Sequence, residues 1–283
     1  LGLACGDDVE IDRLRLIDFM YRAYANGKND KVDFLVFPEF YMPLQWISDV
    51  LAFVRKSGIT VVSGLQYVTS GHQAYNNVAI FAPVNTGRYT SSVLFAREKN
   101  DYAPMERQIL ALEKYICVDQ EKPVYQMINN RGIDYGLFLC YEFTDIIARA
   151  LYKDKVDIIF TPEHNRDTSY FSNIIETTAR DLHVFIVQAN TSIYGDSRIT
   201  GPFGRNDRNV LQIKGGDKDD IIIGTIELGK VKKYQQDEKV DFDNKIQEYL
   251  KYNRKQKYEE EQKLFKEQKI KIAKTSARFG GNK

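Results

Sequence analysis

Tyr135-Gly136-Leu137-Phe138-Leu139, running straight into Cys140-Tyr141-Glu142, is the stretch that decides how this chain is read. Five uncharged residues of strand length read as a strand buried on both faces, and such strands need cover on both sides. Directly past its end stand a thiol and a carboxylate. In open α/β sheets ligands collect beyond the strand ends. A helix is expected over 145–152, and its N-terminus would favour the thiolate of Cys140, whose unperturbed pKa is about 8.5.

Working outward, the same pattern recurs. Phe34-Leu35-Val36-Phe37 is a second apolar run, ended by Pro38, which cannot donate to a ladder. Further strands are expected at Gly58 to Gly64, Val78 to Phe81, Ser92 to Ala96, Val156 to Phe160, Val184 to Gln188 and Ile221 to Ile226, with a short one at Leu1 to Cys5. Helical spacing of Ile11, Leu14, Leu16, Ile17, Met20, Tyr21 and Tyr24 predicts a helix over 10–25, stopped by Asn26-Gly27. Helices are also expected at 44–56 and 170–182. Asn85-Thr86-Gly87 is hairpin chemistry, so the sheet is mixed. The residues thus predict a mixed α/β protein.

The whole chain has 283 residues, 43% hydrophobic and 28% charged, the composition of a globular protein able to bury a core without staples. It has no apolar run of about 18 residues, so no membrane span is expected. Three cysteines (Cys5, Cys117, Cys140) and three histidines (His72, His164, His183) suit a reducing, cytoplasmic setting and weigh against a metal centre. The net charge of +1 is unevenly spread. Residues 251–283 hold 11 Lys+Arg and 4 Asp+Glu, leaving an acidic body. From Asp241 to about Arg278 there is no Pro or Gly, and Tyr258, Phe265 and Ile272 recur every seven residues. That predicts a body of 1–235 and a basic helical tail of 236–283, the tail a surface for oligomerisation or for nucleic acid. The chain opens without Met in an apolar strand, which predicts either a processed start or, as the favoured reading, a further domain upstream.

Three strand ends carry chemistry: Pro38-Glu39, Arg97-Glu98-Lys99-Asn100 running on to Pro104-Met105-Glu106, and Cys140-Tyr141-Glu142. Taken singly, a cysteine is by default a buried core residue, and lysines and glutamates are ordinary surface residues. Together they fit acyl transfer. Glu39, desolvated, takes and returns a proton; Cys140 attacks; Lys99 faces the developing oxyanion. A Cys-His pair of Cys140 with His164 or His183 is the competing arrangement, and it leaves Glu39 and Lys99 unexplained.

In that order the three residues resemble the nitrilase, or carbon–nitrogen hydrolase, superfamily and its Glu-Lys-Cys triad. Glu39 and Lys99 are 60 residues apart, and Lys99 and Cys140 are 41 apart, similar to the family. Thr161-Pro162-Glu163-His164-Asn165 resembles its substrate loop. Gln188-Ala189-Asn190, Gly195-Asp196-Ser197-Arg198 and Gly201-Pro202-Phe203-Gly204 resemble its later blocks, and Arg180 matches an arginine that members often carry. The resemblance implies a four-layer α-β-β-α sandwich that pairs into dimers or larger homo-oligomers. It implies hydrolysis of a small amide through a thioester, with neither cofactor nor metal. Glu106 would orient Lys99 and the attacking water, a backbone N–H near Tyr141 would hold the oxyanion, and Tyr141, His164 and Asn165 would meet the substrate. Glu142 departs from the family's aspartate, and Asn100-Asp101-Tyr102 departs from its usual continuation after the lysine. Two other readings fit the resemblance. One is an N-acyltransferase using the same thioester. The other is a module fused to another catalytic unit, such as a reverse transcriptase in antiphage defence, that serves assembly and meets nucleic acid only through its partner or the tail.

Overall fold

Side-chain parity along the strands explains the layers. A computed structural model describes residues 7–26, 31–204, 207–215, 220–236 and 244. Helix α1 (Asp7–Asn26) leads to strand β1 (Phe34–Val36), a 3-10 turn (Leu44–Trp46), helix α2 (Ile47–Ser57) and strand β2 (Thr60–Gly64). Strands β3 (Val68–Ser70), β4 (Gln73–Tyr75), β5 (Asn77–Asn85) and β6 (Thr90–Glu98) follow, then helix α3 (Pro104–Leu112) and strand β7 (Ile116–Cys117). The second half holds β8 (Met127–Asn130), β9 (Ile133–Leu137), a 3-10 turn (Cys140–Thr144), α4 (Ile146–Ala150), β10 (Ile158–Glu163), α5 (Thr168–Leu182), β11 (Phe185–Asn190), β12 (Ser197–Thr200) and β13 (Asn209–Ile213).

Two larger sheets form, in the orders β1-β2-β5-β6 and β13-β12-β11-β10-β9-β8, beside a small β3-β4-β7 sheet. Val61, Ala79 and Phe81 face Leu16, Phe19, Met20 and Ala23 of α1 and Val50 and Val54 of α2. Their strand neighbours Val62, Val78 and Ile80 point the other way, onto Tyr135, Leu137, Ile158, Phe160 and Phe185 of the second sheet. Ile159 and Ile186, one residue out of step with Ile158 and Phe185, pack under Phe171, Ile174, Ile175 and Ala179 of α5. Successive strand residues point to opposite faces, so each doubly apolar strand supplies two cores. The layers are therefore helix, sheet, sheet, helix, as the resemblance implied.

The hairpin expected at Asn85-Thr86-Gly87 joins β5 to β6, and Gly87 meets its turn with φ +83°. The strand expected at Ile221 to Ile226 is irregular backbone. No strand among the described residues pairs with it; Ile222 and Ile223 are exposed, and Ile221 and Ile226 pack singly against different cores. Strands β3, β4, β7, β8, β12 and β13 were not expected. They are short or polar, and their pairing partners are what make them strands.

The chain divides into units Leu1–Val231 and Lys232–Lys283. In the second, residues 232–236 and 244 are described and helical. The expected basic tail, with its Tyr258, Phe265 and Ile272 stripe, otherwise lies outside the described residues, as do Leu1 to Cys5. Among the described residues no helix is long and apolar enough to cross a membrane.

Candidate active site

Strand direction brings the distant residues together. β1 and β2 are parallel, β5 runs against β2, and β6 against β5. The C-terminal ends of β1, β2 and β6 therefore open on one edge, and Glu39 and Lys99 lie just past β1 and β6. In the other sheet β9, β10 and β11 are parallel. Their C-terminal ends carry Cys140, Glu163 and Asn190. The two edges meet where the Glu39 N–H donates to the Glu163 carbonyl at 3.3 Å.

The charged centre is dry. Lys99 is 1% exposed and donates to Glu39 Oε1 at 2.8 Å and to Glu106 Oε2 at 2.6 Å. Asn76, fully buried, donates through Nδ2 to Glu39 Oε1 at 2.9 Å and to Glu106 Oε1 at 2.8 Å. The Tyr67 hydroxyl donates to Glu106 Oε1 at 2.7 Å. Among the described residues all donors to Glu39 use Oε1, which leaves Oε2 to receive a proton. Burial pushes the Glu39 carboxyl up; Lys99 opposes this without cancelling it. Burial alone would lower the Lys99 ammonium, but Glu39 and Glu106 together raise it, so it stays charged.

Cys140 begins the 3-10 turn with φ 50°, in the left-handed region that costs a non-glycine residue about 1–2 kcal/mol. Glu142 holds that turn. Its carboxylate takes an N–H from each of Arg97 Nη1 and Nη2 at 2.7 Å, the Leu139 N–H at 2.7 Å and the Asn100 N–H. Glu142 thus ties the end of β6, which carries Lys99, to the turn that carries the thiol. Its extra methylene over an aspartate spans that gap. The thiol is not preset as a thiolate. Burial pushes it well up, Glu39 adds to this, and Lys99 and the His164 N–H lower it. The helix N-terminus expected to ionise it is only the five-residue α4, which starts six residues on. Desolvation of the buried sulfur wins, and the proton has to be taken by a base.

Around this centre His164 packs edge-on against Phe40 and Tyr194 (centroids 5.7 and 5.3 Å apart), and Phe40 lies 4.8 Å from Tyr67. Partial desolvation holds the His164 imidazole below its usual range. A cavity borders Glu39, Phe40, His164 and Asn190; Lys99 and Cys140 are not in its wall. Asn165 is turned to structure, its N–H donating to Asn190 Oδ1 at 2.9 Å and its carbonyl accepting from Asn190 Nδ2 at 2.7 Å. Tyr141 is half-buried in the turn after the thiol. The structure thus gathers Glu39, Lys99, Glu106, Cys140 and His164 at one edge, with Asn165 bracing the loop beside them. Sequence reasoning missed Asn76, Tyr67, Arg97 and the side chain of Glu163. The polar pair Asn76-Asn77 opening an apolar strand was the one signal for the first.

The backbone of Glu39 leaves no slack. A Cβ on Gly64 would lie 2.5 Å from Glu39 Cα and 2.9 Å from the Phe40 nitrogen. Gly64→Ala is expected to push the Glu39 backbone out of line and to lower stability by about 1–3 kcal/mol, the usual cost of overpacking. Thermal melts check this; an unchanged Tm would mean that the Glu39 backbone can give way freely.

The carbon–nitrogen hydrolase family model matches residues 16–236. Among solved structures, the amidase from Nesterenkonia sp. is 19% identical with TM-score 0.52, covering 71% of this chain and 81% of that one. A glutamate-to-glutamine mutant of the Nesterenkonia sp. AN1 amidase, with acrylamide added at its active-site cysteine, is 18% identical with TM-score 0.51, over 71% and 84%. A cysteine-to-alanine mutant of the same amidase, from the nitrilase superfamily, is also 18% identical with TM-score 0.51, over 71% and 80%. At these identities the likeness is one of fold. No curated protein matches the sequence.

Proposed function

The chain belongs to the carbon–nitrogen hydrolase family, and from that premise we propose that it hydrolyses a small amide through a Cys140 thioester. The observation that carries this reading is the buried Glu39–Lys99–Glu106 cluster, two carboxylates on one ammonium, within electrostatic reach of a buried thiol. Glu39 Oε2 takes the Cys140 proton as sulfur attacks the amide carbon. Lys99 Nζ, with a backbone N–H near Tyr141, stabilises the oxyanion; one such donor is worth about 100- to 1,000-fold. The tetrahedral intermediate collapses, the C–N bond breaks, and Glu39 returns the proton to the departing ammonia. Water, deprotonated by Glu39 and steered by Glu106, then attacks the thioester and frees the acid and the thiol. The Nesterenkonia amidase, modified at its active-site cysteine, is consistent with this chemistry.

The test is ammonia release from a panel of small aliphatic and aromatic amides, with intact-mass detection of the acyl-enzyme. A mass shift equal to acyl minus hydrogen, mapped to Cys140, supports the reading. Neither ammonia nor adduct from any amide refutes it. Transfer of the acyl group to an added amine rather than water would make it an acyltransferase.

The setting we propose is the reducing cytoplasm, where Cys117 and Cys140, both free, remain thiols. We also propose a homodimer through α4 and α5, where Ile146, Ile147, Leu151 and Tyr170 are exposed. Ile147→Lys is expected to yield a monomer by light scattering; an unchanged assembly would move the interface elsewhere.

A further inference from the structure

Glu163 is a buried carboxyl for which this reaction has no use. It ends β10, is 0% exposed, and its carbonyl carries the hydrogen bond from Glu39. Its side chain accepts from the Thr161 hydroxyl at 3.1 Å and from Gln188 Nε2 at 2.7 Å. Both donors are neutral. Across the sheet Thr161 pairs with Gln188, and Gln188 with Arg198. Arg198 is itself paired with Asp196 and with Glu176 of α5, so little of its charge is left for Glu163. Glu39 past β1 acts on Glu163, and Glu163 acts on Cys140 past β9, whose sulfur takes the backbone N–H of His164, the chain neighbour of Glu163.

That company is already anionic. Glu39 and Glu106 share one ammonium, and a Cys140 thiolate adds a further negative charge. An ionised Glu163 would be one more in a water-poor site, where such repulsion is poorly screened. The hydrogen bonds to Glu163 from Thr161 and Gln188 favour the anion, but neither donor carries a charge, and burial outweighs them.

We propose that Glu163 is a positioning residue that stores a proton beside the nucleophile: protonated, it allows the Cys140 thiolate to form, and ionised, it shuts the site down. Burial pushes its carboxyl up to about 8, against the hydrogen bonds from Gln188 and Thr161. Ionisation of Glu163 therefore sets the alkaline limb of activity, while protonation of Glu39 sets the acid limb. His164, held low, is neutral through that range.

The test compares the wild type with Glu163→Gln, which keeps the shape and loses the ionisation. The readout is the rate of iodoacetamide alkylation of Cys140 against pH, resolved from Cys117 by peptide mass. The ratio of variant to wild-type rate is expected to be flat up to about pH 7 and to rise about tenfold by about pH 9.5, as the anion develops in the wild type alone. A ratio independent of pH overturns the proposal. Folding supplies a second readout. Between the unperturbed carboxylate pKa of about 4.3 and about 8 the native wild type binds a proton that the unfolded chain has lost, so its stability falls as pH rises. The Tm of Glu163→Gln should exceed the wild type's near pH 8, with the gap closing towards pH 5. A constant gap would leave Glu163 a merely structural hydrogen-bond partner. Should Glu163→Gln not fold, Gln188→Met removes a donor to the ionised form and should move the wild-type alkaline limb to higher pH; an unmoved limb overturns the idea. The proposal rests on the amidase reading only where turnover is measured. No turnover with a rising alkylation ratio defeats that reading alone, and turnover with a flat ratio defeats this one.

Discussion

Cys140→Ala is expected to abolish amide hydrolysis, a loss on the order of 10⁶-fold, the scale on which removal of a covalent nucleophile acts. Without sulfur there is no thioester, and the Glu39–Lys99–Glu106 cluster can only polarise a bound amide. Cys117, the other free thiol among the described residues, is no substitute. It lies on β7 beside Glu106 and Arg107, and burial pushes its thiol up too. Cys140→Ser separates chemistry from shape. The hydroxyl fits, but it is a far weaker acid than the thiol, so it too should be inactive. The fold should survive both changes, because the turn is held by Glu142 and not by the thiol. Ammonia release and the intact-mass adduct are the measurements, with Tm beside them. Turnover in Cys140→Ala above about one thousandth of the wild-type rate would remove the covalent mechanism.

Glu142→Ala carries the largest expected effect on stability. Arg97 and Glu142 are 4% and 0% exposed at their side chains, and the pair is bidentate. Removing one partner of such a buried pair typically costs about 3–5 kcal/mol, because the other is left as an uncompensated charge. The Leu139 and Asn100 N–H groups lose their acceptor as well, at about 1–3 kcal/mol each where water cannot enter. The loss is read as a lower urea midpoint at unchanged slope, with activity falling in step because the same carboxylate sets Lys99 against Cys140. Glu142→Asp should lie between, one methylene short of reaching all its donors at once. Arg97→Leu combined with Glu142→Leu should recover part of the loss, since no lone charge remains. A midpoint equal to the wild type's in Glu142→Ala would show that the clamp does not hold the turn.

The outer helical layers and the gathering of Glu39, Lys99 and Cys140 at one edge were legible for different reasons. Helices α1, α2 and α5 announce themselves by apolar spacing, which depends only on neighbours within a turn or two. Glu39, Lys99 and Cys140 were found because each stands just past a strand end, and a strand end is a local signal. Asn76 was not, because a single asparagine looks the same whether it faces solvent or bridges two carboxylates. The segment from Ile221 to Ile226 misled for the converse reason: apolar and of strand length, it has no partner to pair with among the described residues.

By itself the sequence determined the alternation of doubly apolar strands with one-sided helices, and so a sheet pair covered on both outer faces. It also set three polar residues at strand ends. Only the tertiary structure decided their protonation. The expectation of a thiol preset as thiolate by a helix end gave way to a sulfur whose burial favours the protonated form, with the buried carboxyls of Glu39 and Glu163 acting on it. The physical reason is that an ionisable group answers to the charges and the water within a few ångströms of it. Those neighbours come from strands far apart in the chain, 60 residues between Glu39 and Lys99 and 41 between Lys99 and Cys140, a distance across which local sequence carries no electrostatic information.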